Sequence, residues 1–269
     1  TDLLKYPSKL AICPLQHKIA IANSGKNSII VTDTSGCIQY TIGTGEKGFQ
    51  DGPLENSSFN RPQGVAWVEA NSFFVCDTDN HAIRKVDLNA RTVVTSARDL
   101  KSPWDVLYDC HQKRLYIAMA GSHQIWVGLL SGKGDIGNNV HGVYHEYGEV
   151  VLFAGSGVEK KLDNRYPLVS SFAQPSGIVL HRNNLYIADS ESSSIRRINL
   201  KDGSVFTVIG GSCNPYDLFA FGDVDGKKPQ ARLQHCTGLC VHLTENCLLL
   251  ADTFNHKVAS LIRFLFAPI

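Results

Sequence analysis

The sequence predicts an all-β protein built from repeated four-stranded units, and three observations indicate this fold class. Short apolar segments alternate with turns rich in glycine, asparagine and aspartate, which is typical of closely connected strands. The pattern at residues 62–86 (a strand, a second strand ending on aspartate, a polar turn and a third strand) returns at residues 236–258. Apolar residues show no strict alternation, which indicates sheets covered on both faces. Small sheets stacked face to face provide that cover, so we predict a β-propeller.

The strand pattern divides residues 1–269 into five such units, which we interpret as the blades of a single domain. The last residue of the second strand marks each unit, and the spacing between markers varies while the strand order does not. Variable spacing indicates surface loops, which tolerate changes of length. The blades are predicted at approximately residues 3–44, 59–98, 101–155, 172–211 and 233–269, with markers at Asn23, Asp77, Met119, Asp189 and Asp252.

Two segments depart from the repeat. A long insertion at residues 129–148 precedes the fourth strand of the third blade. The apolar tail at residues 261–269 does not continue the strand pattern, so we expect the domain to be truncated. No segment requires a helix.

The composition disfavours several classes of function. Hydrophobic residues make up 43% and charged residues 19% of the chain, as in ordinary globular proteins. The formal net charge of +1 disfavours a nucleic-acid partner. No apolar run reaches the about 20 residues that cross a bilayer, so no membrane partner is expected. Eight cysteines without a Cys-x-x-Cys pair are predicted to be reduced and structural, which indicates a cytoplasmic protein.

The second and fifth blades resemble the NHL repeat, a family of propeller blades. The resemblance rests on the Pro-x-Gly turn at Pro62–Gly64 and on the Asp-Thr-x-Asn-His turns that begin at Asp77 and Asp252. The linkers at residues 48–62 and 221–235 resemble the connections between blades of six-bladed members. The resemblance covers residues 3–258 and implies a longer intracellular parent with a thioredoxin-like domain elsewhere. Since five blades are counted here, we expect the sixth to be missing.

The candidate binding residues form a rim. In a four-stranded meander, the turn after the second strand and the loop before the first strand lie at the same end of the blade. Polar and aromatic side chains from these places are therefore expected to surround the mouth of a channel, where propellers commonly bind. The candidate rim residues are Arg61, His81, Trp104, Asp105, His123, Gln174, His235 and His256.

The marker residues have a simpler interpretation. Aspartate and asparagine at a strand end commonly hold their own turn through side-chain hydrogen bonds to its backbone. We therefore interpret Asp77, Asn80, Asp189, Asp252 and Asn255 as structural turn markers. The arginines of the Arg84–Lys85 and Arg196–Arg197 doublets are expected to be solvated at blade edges.

A zinc-dependent lyase is related to this propeller family, so the resemblance raises the question of metal ligands in this sequence. The candidate ligand sets are His235, Cys236, Cys240 and His242; His141 and His145; His81, His123 and His256; and Asp223 with Asp225. Strand geometry places His235 on the opposite face from Cys236 and Cys240, which disfavours a tetrahedral zinc site. No phosphate-binding loop or nucleophile elbow occurs. No metal, cofactor or catalytic residue is predicted.

These observations favour a non-catalytic scaffold that binds a protein or peptide on its loop-rich face. A metal-dependent lyase or hydrolase at the channel mouth is the first alternative. Binding of single-stranded RNA is the second, and it requires a basic groove with stacking aromatic side chains. The identity of the partner and the oligomeric state do not follow from the sequence.

Overall fold

The computed structural model describes residues 3–129, 142–145 and 148–261. The chain forms two units: one takes in the residues up to Ile117 together with Val127–Val151, and the other takes in Ala118–Trp126 and the residues from Leu152 onward. Each unit is built from small antiparallel sheets with tight turns, and the fold class is the predicted all-β propeller of five blades.

The first blade is a simple four-stranded meander. Consecutive strands pair antiparallel, because each turn is too short for any other return of the chain. In sheet order the strands are β1 (Pro7–Ile12), β2 (Lys18–Asn23), β3 (Ser28–Asp33) and β4 (Ile38–Ile42).

The second blade has five strands rather than the predicted four. The linker before it contributes β5, a two-residue strand that pairs with the last strand, β9. The linker is therefore part of the sheet rather than a free connection. The strands are β5 (Gly52–Pro53), β6 (Pro62–Glu69), β7 (Ser72–Asp77), β8 (Ala82–Asp87) and β9 (Thr92–Ala97), in the sheet order β5-β9-β8-β7-β6.

The third sheet also has five strands. Part of the predicted insertion forms β13, which pairs with β14 as a hairpin at the sheet edge. Most of the remaining insertion, residues 130–141, lies outside the described residues. The strands are β10 (Pro103–Asp109), β11 (Arg114–Met119), β12 (Gln124–Leu129), β13 (Gly142–His145) and β14 (Gly148–Ala154), in the sheet order β10-β11-β12-β14-β13.

The fourth blade has four strands, and the fifth has three within the described residues. The tail at residues 262–269 lies outside them. The strands of the fourth blade are β15 (Pro175–His181), β16 (Asn184–Asp189), β17 (Ser194–Asn199) and β18 (Val205–Gly210). Those of the fifth are β19 (Gly238–His242), β20 (Cys247–Asp252) and β21 (Lys257–Leu261).

The polar turns contain short helices that the sequence pattern did not indicate. In four blades the turn after the second strand forms a single turn of 3-10 helix, because one i-to-i+3 hydrogen bond closes so short a segment. The residue after each of these helices has a positive φ, which His and Asn tolerate better than most residues. The four helices are Ser24–Lys26, Thr78–Asn80, Ala120–Ser122 and Thr253–Asn255. None of the described helices is long or apolar enough to span a membrane.

Consecutive blades pack face to face within each unit. The first strands lie side by side, with β1 against β6, β6 against β10, and β15 against β19. The faces between blades are apolar and almost fully buried, and this burial is the main source of stability for such sheets. The core of the first two blades includes Ala22, Ile29, Val65, Trp67 and Phe73. The core of the last two includes Tyr186, Ile195, Ile209, Leu248 and Leu250.

Candidate functional site

Two residues in each blade have a left-handed backbone at the turn end. One directly precedes the first strand; we call these the pre-strand residues Tyr6, Arg61, Ser102, Gln174 and His235. The other follows the turn after the second strand; we call these the turn-end residues Asn27, His81, His123, Ser193 and His256. A positive φ is uncommon for residues other than glycine and costs free energy. Its recurrence at equivalent places indicates that a specific contact requires it.

That contact is a hydrogen bond between consecutive blades. In the first four blades, the side chain of the turn-end residue accepts the backbone N–H of the next pre-strand residue, and we call this bond the inter-blade clasp. A histidine that accepts at Nδ1 carries its proton on Nε2. The clasps are Arg61 N to Asn27 Oδ1 (3.0 Å), Ser102 N to His81 Nδ1 (3.2 Å), Gln174 N to His123 Nδ1 (3.2 Å) and His235 N to Ser193 Oγ (3.1 Å).

A hydroxyl group adds a second bond at three of these junctions. Thr78 Oγ1 donates to the carbonyl oxygen of Pro103 at 2.7 Å, and Ser190 Oγ donates to that of Cys236 at 2.7 Å. Ser24 Oγ donates to the carbonyl oxygen of Pro62 in the same way. The third blade has Ala120 at this position, which has no hydroxyl group to donate.

The candidate rim residues therefore have packing contacts that the sequence did not predict. His81 and His123 use a ring nitrogen in the clasp, whereas Arg61, Gln174 and His235 contribute their backbone amides. The His235 ring also stacks on Phe254, with the ring centroids 4.4 Å apart. The repeated histidine in the turn was the only signal of this bond, because its acceptor role depends on a neighbouring blade.

Asp105 is buried rather than exposed on the rim, at 3% exposure. Both of its carboxylate oxygens accept from Lys9 Nζ at 2.5 Å. Lys9 in the first blade and Asp105 in the third blade are at the repeat position that Gly64 occupies in the second blade. A Cβ on Gly64 would lie 2.7 Å from the Asp105 Cα, so only glycine leaves room for this packing. Trp104, the residue before Asp105, is half-buried.

The marker Asp77 is fully buried and holds more than its own turn. Its carboxylate accepts from the Asn60 amide at 2.7 Å, from Asn80 Nδ2 at 2.9 Å and from Arg84 Nη1 at 2.7 Å. Burial raises the pKa of the Asp77 carboxyl, and these three bonds oppose that rise. Asp77 makes no side-chain cap bond to the 3-10 helix that follows it, which differs from the expected turn contact.

Arg84 is also fully buried, so the expectation of a solvated blade-edge arginine was wrong. Its Nη2 donates to the Gln50 carbonyl oxygen and to Asp51 Oδ1, both at 2.7 Å. The rings of Phe49 and Phe59 lie 4.9 and 5.1 Å from the guanidinium carbon. The linker residues that supply these contacts cover Arg84 and therefore exclude water from it.

The fourth blade repeats this arrangement, and Arg196 was wrongly expected to be solvated as well. Arg196 Nη1 donates to Asp189 Oδ2 at 3.1 Å, and Nη2 donates to Asp163 Oδ1 at 2.9 Å. Burial raises the pKa of Asp189, which Arg196 opposes. Burial also tends to raise the pKa of Asp163, but Arg196, Thr207 and Lys228 outweigh it and leave that pKa lowered.

The proposed metal ligands are dispersed. Cys236 is buried with its Sγ 3.4 Å from Asp252 Oδ1, whereas Cys240 is exposed on β19. Among residues 3–129, 142–145 and 148–261, no three His, Cys, Asp or Glu side chains are close enough to hold a metal ion. His141 lies outside these residues. All eight cysteine thiols are free.

The first unit has an open cleft of about 600 Å³ where the turn ends of the first two blades meet. It includes one candidate rim residue, Arg61, whose Nη1 lies 3.5 Å from Asp79 Oδ2. Its other charged side chains are Lys5 and Lys47, both exposed. We call it the turn cleft. Its lining residues are Lys5, Tyr6, Pro7, Ser8, Ser24, Gly25, Asn27, Lys47, Asn60, Arg61, Gln63 and Asp79.

Comparison with known families explains the repeated turn. Residues 59–86, which run from before β6 almost to the end of β8, match the NHL repeat. This segment is therefore similar to a single NHL repeat. It contains Asp77, Asn80, His81 and Arg84, so the family match coincides with the buried network and with one clasp. The resemblance that the sequence indicated is confirmed.

The curated proteins that this chain resembles are longer than it. It is 41% identical to NHL repeat-containing protein 2 of Bos taurus and of Homo sapiens, over 95% of this chain and 38% of either relative. It is 40% identical to Protein SUPPRESSOR OF QUENCHING 1, chloroplastic, of Arabidopsis thaliana, over 97% of this chain and 25% of that protein. The chain thus spans less than two fifths of the length of these relatives.

Solved structures agree on the fold at low sequence identity. An auxiliary nutrient binding protein from Bacteroides ovatus aligns with a TM-score of 0.72 and 16% identity, over 97% of this chain and 60% of that chain. A second, from Bacteroides thetaiotaomicron, aligns with a TM-score of 0.71 and 14% identity, over 96% of this chain and 60% of that chain. At such identities the likeness shows the fold alone.

Proposed function

We propose that this NHL-repeat propeller is a non-catalytic interaction module that binds a peptide segment of a protein partner in the turn cleft. The observation that carries the proposal is the cleft itself. Its volume of about 600 Å³ is in the usual range for ligand sites, and polar and charged side chains line it. The clasps and hydroxyl bonds fix the backbone around it, so the site is preformed.

The rigidity of the cleft supports binding rather than catalysis. The Asn27 side chain and the Ser24 hydroxyl are engaged in bonds to the second blade. Preformed walls reduce the ordering cost that a partner must offset on binding. Arg61, Gln63 and Tyr6 supply ionic, amide and aromatic contacts for a peptide.

We place the module in a reducing compartment, because its eight thiols are free and four of them are exposed. The cytoplasm is our first choice, and the chloroplast named for the Arabidopsis thaliana relative is the alternative. Imaging of the full-length protein fused to a fluorescent protein decides between them.

The test of the binding function is selection from a random peptide library displayed on phage, with the immobilised chain as bait. The comparison variant is Tyr6→Ala/Gln63→Leu, which changes the cleft without changing its charge. We expect enriched peptides that bind the original chain about tenfold or more tightly than the variant, which corresponds to about 1.4 kcal/mol. Equal binding to both, or no enrichment at all, would refute the proposal. Thermal unfolding of the variant checks that it is folded.

A further inference from the structure

The turn cleft has an excess of positive charge, although the chain as a whole is nearly neutral. Among the residues that the structure describes, its charged lining consists of Lys5, Lys47 and Arg61 against the carboxylate of Asp79. The ion pair of Arg61 with Asp79 is 3.5 Å long, and both side chains are at least one third exposed, so it is weak. The exposed Lys5 and Lys47 side chains add to the positive surface of the cleft.

The backbone of the cleft adds a hydrogen-bond donor at Tyr6. In the four following blades, the N–H of the pre-strand residue is bound by a side-chain acceptor. Tyr6 has the same left-handed conformation, with φ of 47°. Within residues 3–129, 142–145 and 148–261, its N–H has no acceptor. The equivalent positions in the other four blades therefore indicate which kind of atom would accept the Tyr6 N–H. It is a side-chain oxygen or an unprotonated ring nitrogen.

A third feature is the side-chain amide of Gln63. Its side chain lines the cleft at only 7% exposure. The described part of the chain offers this amide no hydrogen-bond partner, whereas the Gln63 backbone carbonyl accepts from Ser8 Oγ at 2.6 Å. Because this amide is not among the fully buried unpaired side-chain groups of the described residues, it reaches the surface of the cleft, where it can donate to or accept from a ligand.

From these observations we infer that the peptide bound in the turn cleft is acidic, and that one of its Asp or Glu carboxylates accepts the Tyr6 N–H while Arg61 and the two lysines neutralise its charge. This inference rests on the proposed function. Oxygen is the acceptor that a peptide supplies most readily, and a carboxylate satisfies the backbone donor and the positive charge together. The Gln63 amide then binds the main chain of the same peptide.

The test measures fluorescence anisotropy of a fluorescein-labelled oligoglutamate peptide titrated with the 269-residue chain. The matched peptide is oligoglutamine of the same length. We expect oligoglutamate to bind about tenfold or more tightly, because charge complementarity selects the partner. The difference should shrink as NaCl rises from about 50 to about 300 mM, because salt screens exposed charges.

Two triple variants locate the effect. Lys5→Gln/Lys47→Gln/Arg61→Gln removes the positive charge of the cleft, and we expect affinity for oligoglutamate to fall about tenfold or more. Arg98→Gln/Lys101→Gln/Lys113→Gln removes the same charge from exposed positions outside the cleft, and we expect the original affinity within about twofold. An equal loss in both variants would mean non-specific attraction and overturn the inference.

Other outcomes separate this inference from the proposed function. If the peptides selected by phage display are neutral and bind in the cleft, the acidic partner is wrong and the binding module stands. If no peptide of any charge binds, both fail. If labelled oligouridylate binds more tightly than oligoglutamate, and the Lys5→Gln/Lys47→Gln/Arg61→Gln variant loses that binding, the ligand is RNA and the inference is overturned.

Discussion

The second and fifth blades share the Asp-Thr-x-Asn-His turn motif but stabilise it differently. In the second blade, buried Asp77 faces buried Arg84, and linker residue Asp51 completes the network. In the fifth, Asp252 is equally buried but accepts from the Gln234 amide, Asn255 Nδ2 and Cys236 Sγ. The residue that corresponds to Arg84 is Ala259, seven residues after the marker. A shared turn motif therefore does not fix the electrostatics of a blade.

The linker aspartates show the same contrast. Asp51 pairs with an arginine that is fully buried, whereas Asp223 pairs with Lys257 at the surface. A buried charge requires its counter-charge, because removal of one partner leaves the other desolvated. We therefore expect the second blade to be much more sensitive than the fifth to single substitutions.

The largest effect is expected at Arg84. Arg84→Met leaves Asp77 buried without its counter-charge, and we expect the free energy of unfolding to fall by about 3–5 kcal/mol. Urea unfolding followed by tryptophan fluorescence measures it. The control Arg91→Met removes an exposed ion pair with Glu55 and should cost about 0–1 kcal/mol. A cost for Arg84→Met no larger than the control would contradict the network.

The second largest effect is expected at Gly64, where the first strands of the second and third blades pack closely together. Gly64→Ala places a Cβ 2.7 Å from the Asp105 Cα and should lower the free energy of unfolding by about 1–3 kcal/mol. Gly238→Ala is the matched change in the fifth blade, where the nearest atom is 3.6 Å away. It should be nearly neutral in the same urea experiment. Similar costs for the two variants would show that close strand packing does not select glycine.

A smaller effect is expected for the hydroxyl bond between blades. Thr78→Val keeps the side-chain shape but removes the donor to the Pro103 carbonyl oxygen, at a cost of about 1–2 kcal/mol. Thr253→Val changes the equivalent but exposed residue of the fifth blade and should cost less than about 0.5 kcal/mol. The thermal unfolding midpoints of the two variants measure this difference. Equal shifts in the two midpoints would contradict the bond from Thr78 to the Pro103 carbonyl oxygen.

The smallest effect is expected for the clasp of His81. His81→Ala removes the acceptor of the Ser102 N–H and should cost about 0.5–1.5 kcal/mol more than His256→Ala. Both substitutions place alanine at φ of 54°, so the backbone cost cancels in the comparison. His81→Asn should recover most of the loss, because Asn27 serves as the acceptor in the first blade. No recovery would contradict the clasp.

The sequence alone determined the repeat, the five blades and most strand positions. Short apolar strands and strong turn residues act locally, so their pattern survives without knowledge of neighbours. It also predicted Arg61 as a binding residue, and Arg61 lines the turn cleft. That Arg61 binds a partner stays a prediction.

Only the tertiary structure decided which polar residues are buried. Arg84 looks like an edge residue in sequence, because nothing near it shows that the linker at Gln50 and Asp51 folds over it. The same is true of Lys9 and Asp105, which lie 96 residues apart and meet over Gly64. Burial and ion pairing depend on which distant segments come together, and a local pattern does not contain that information.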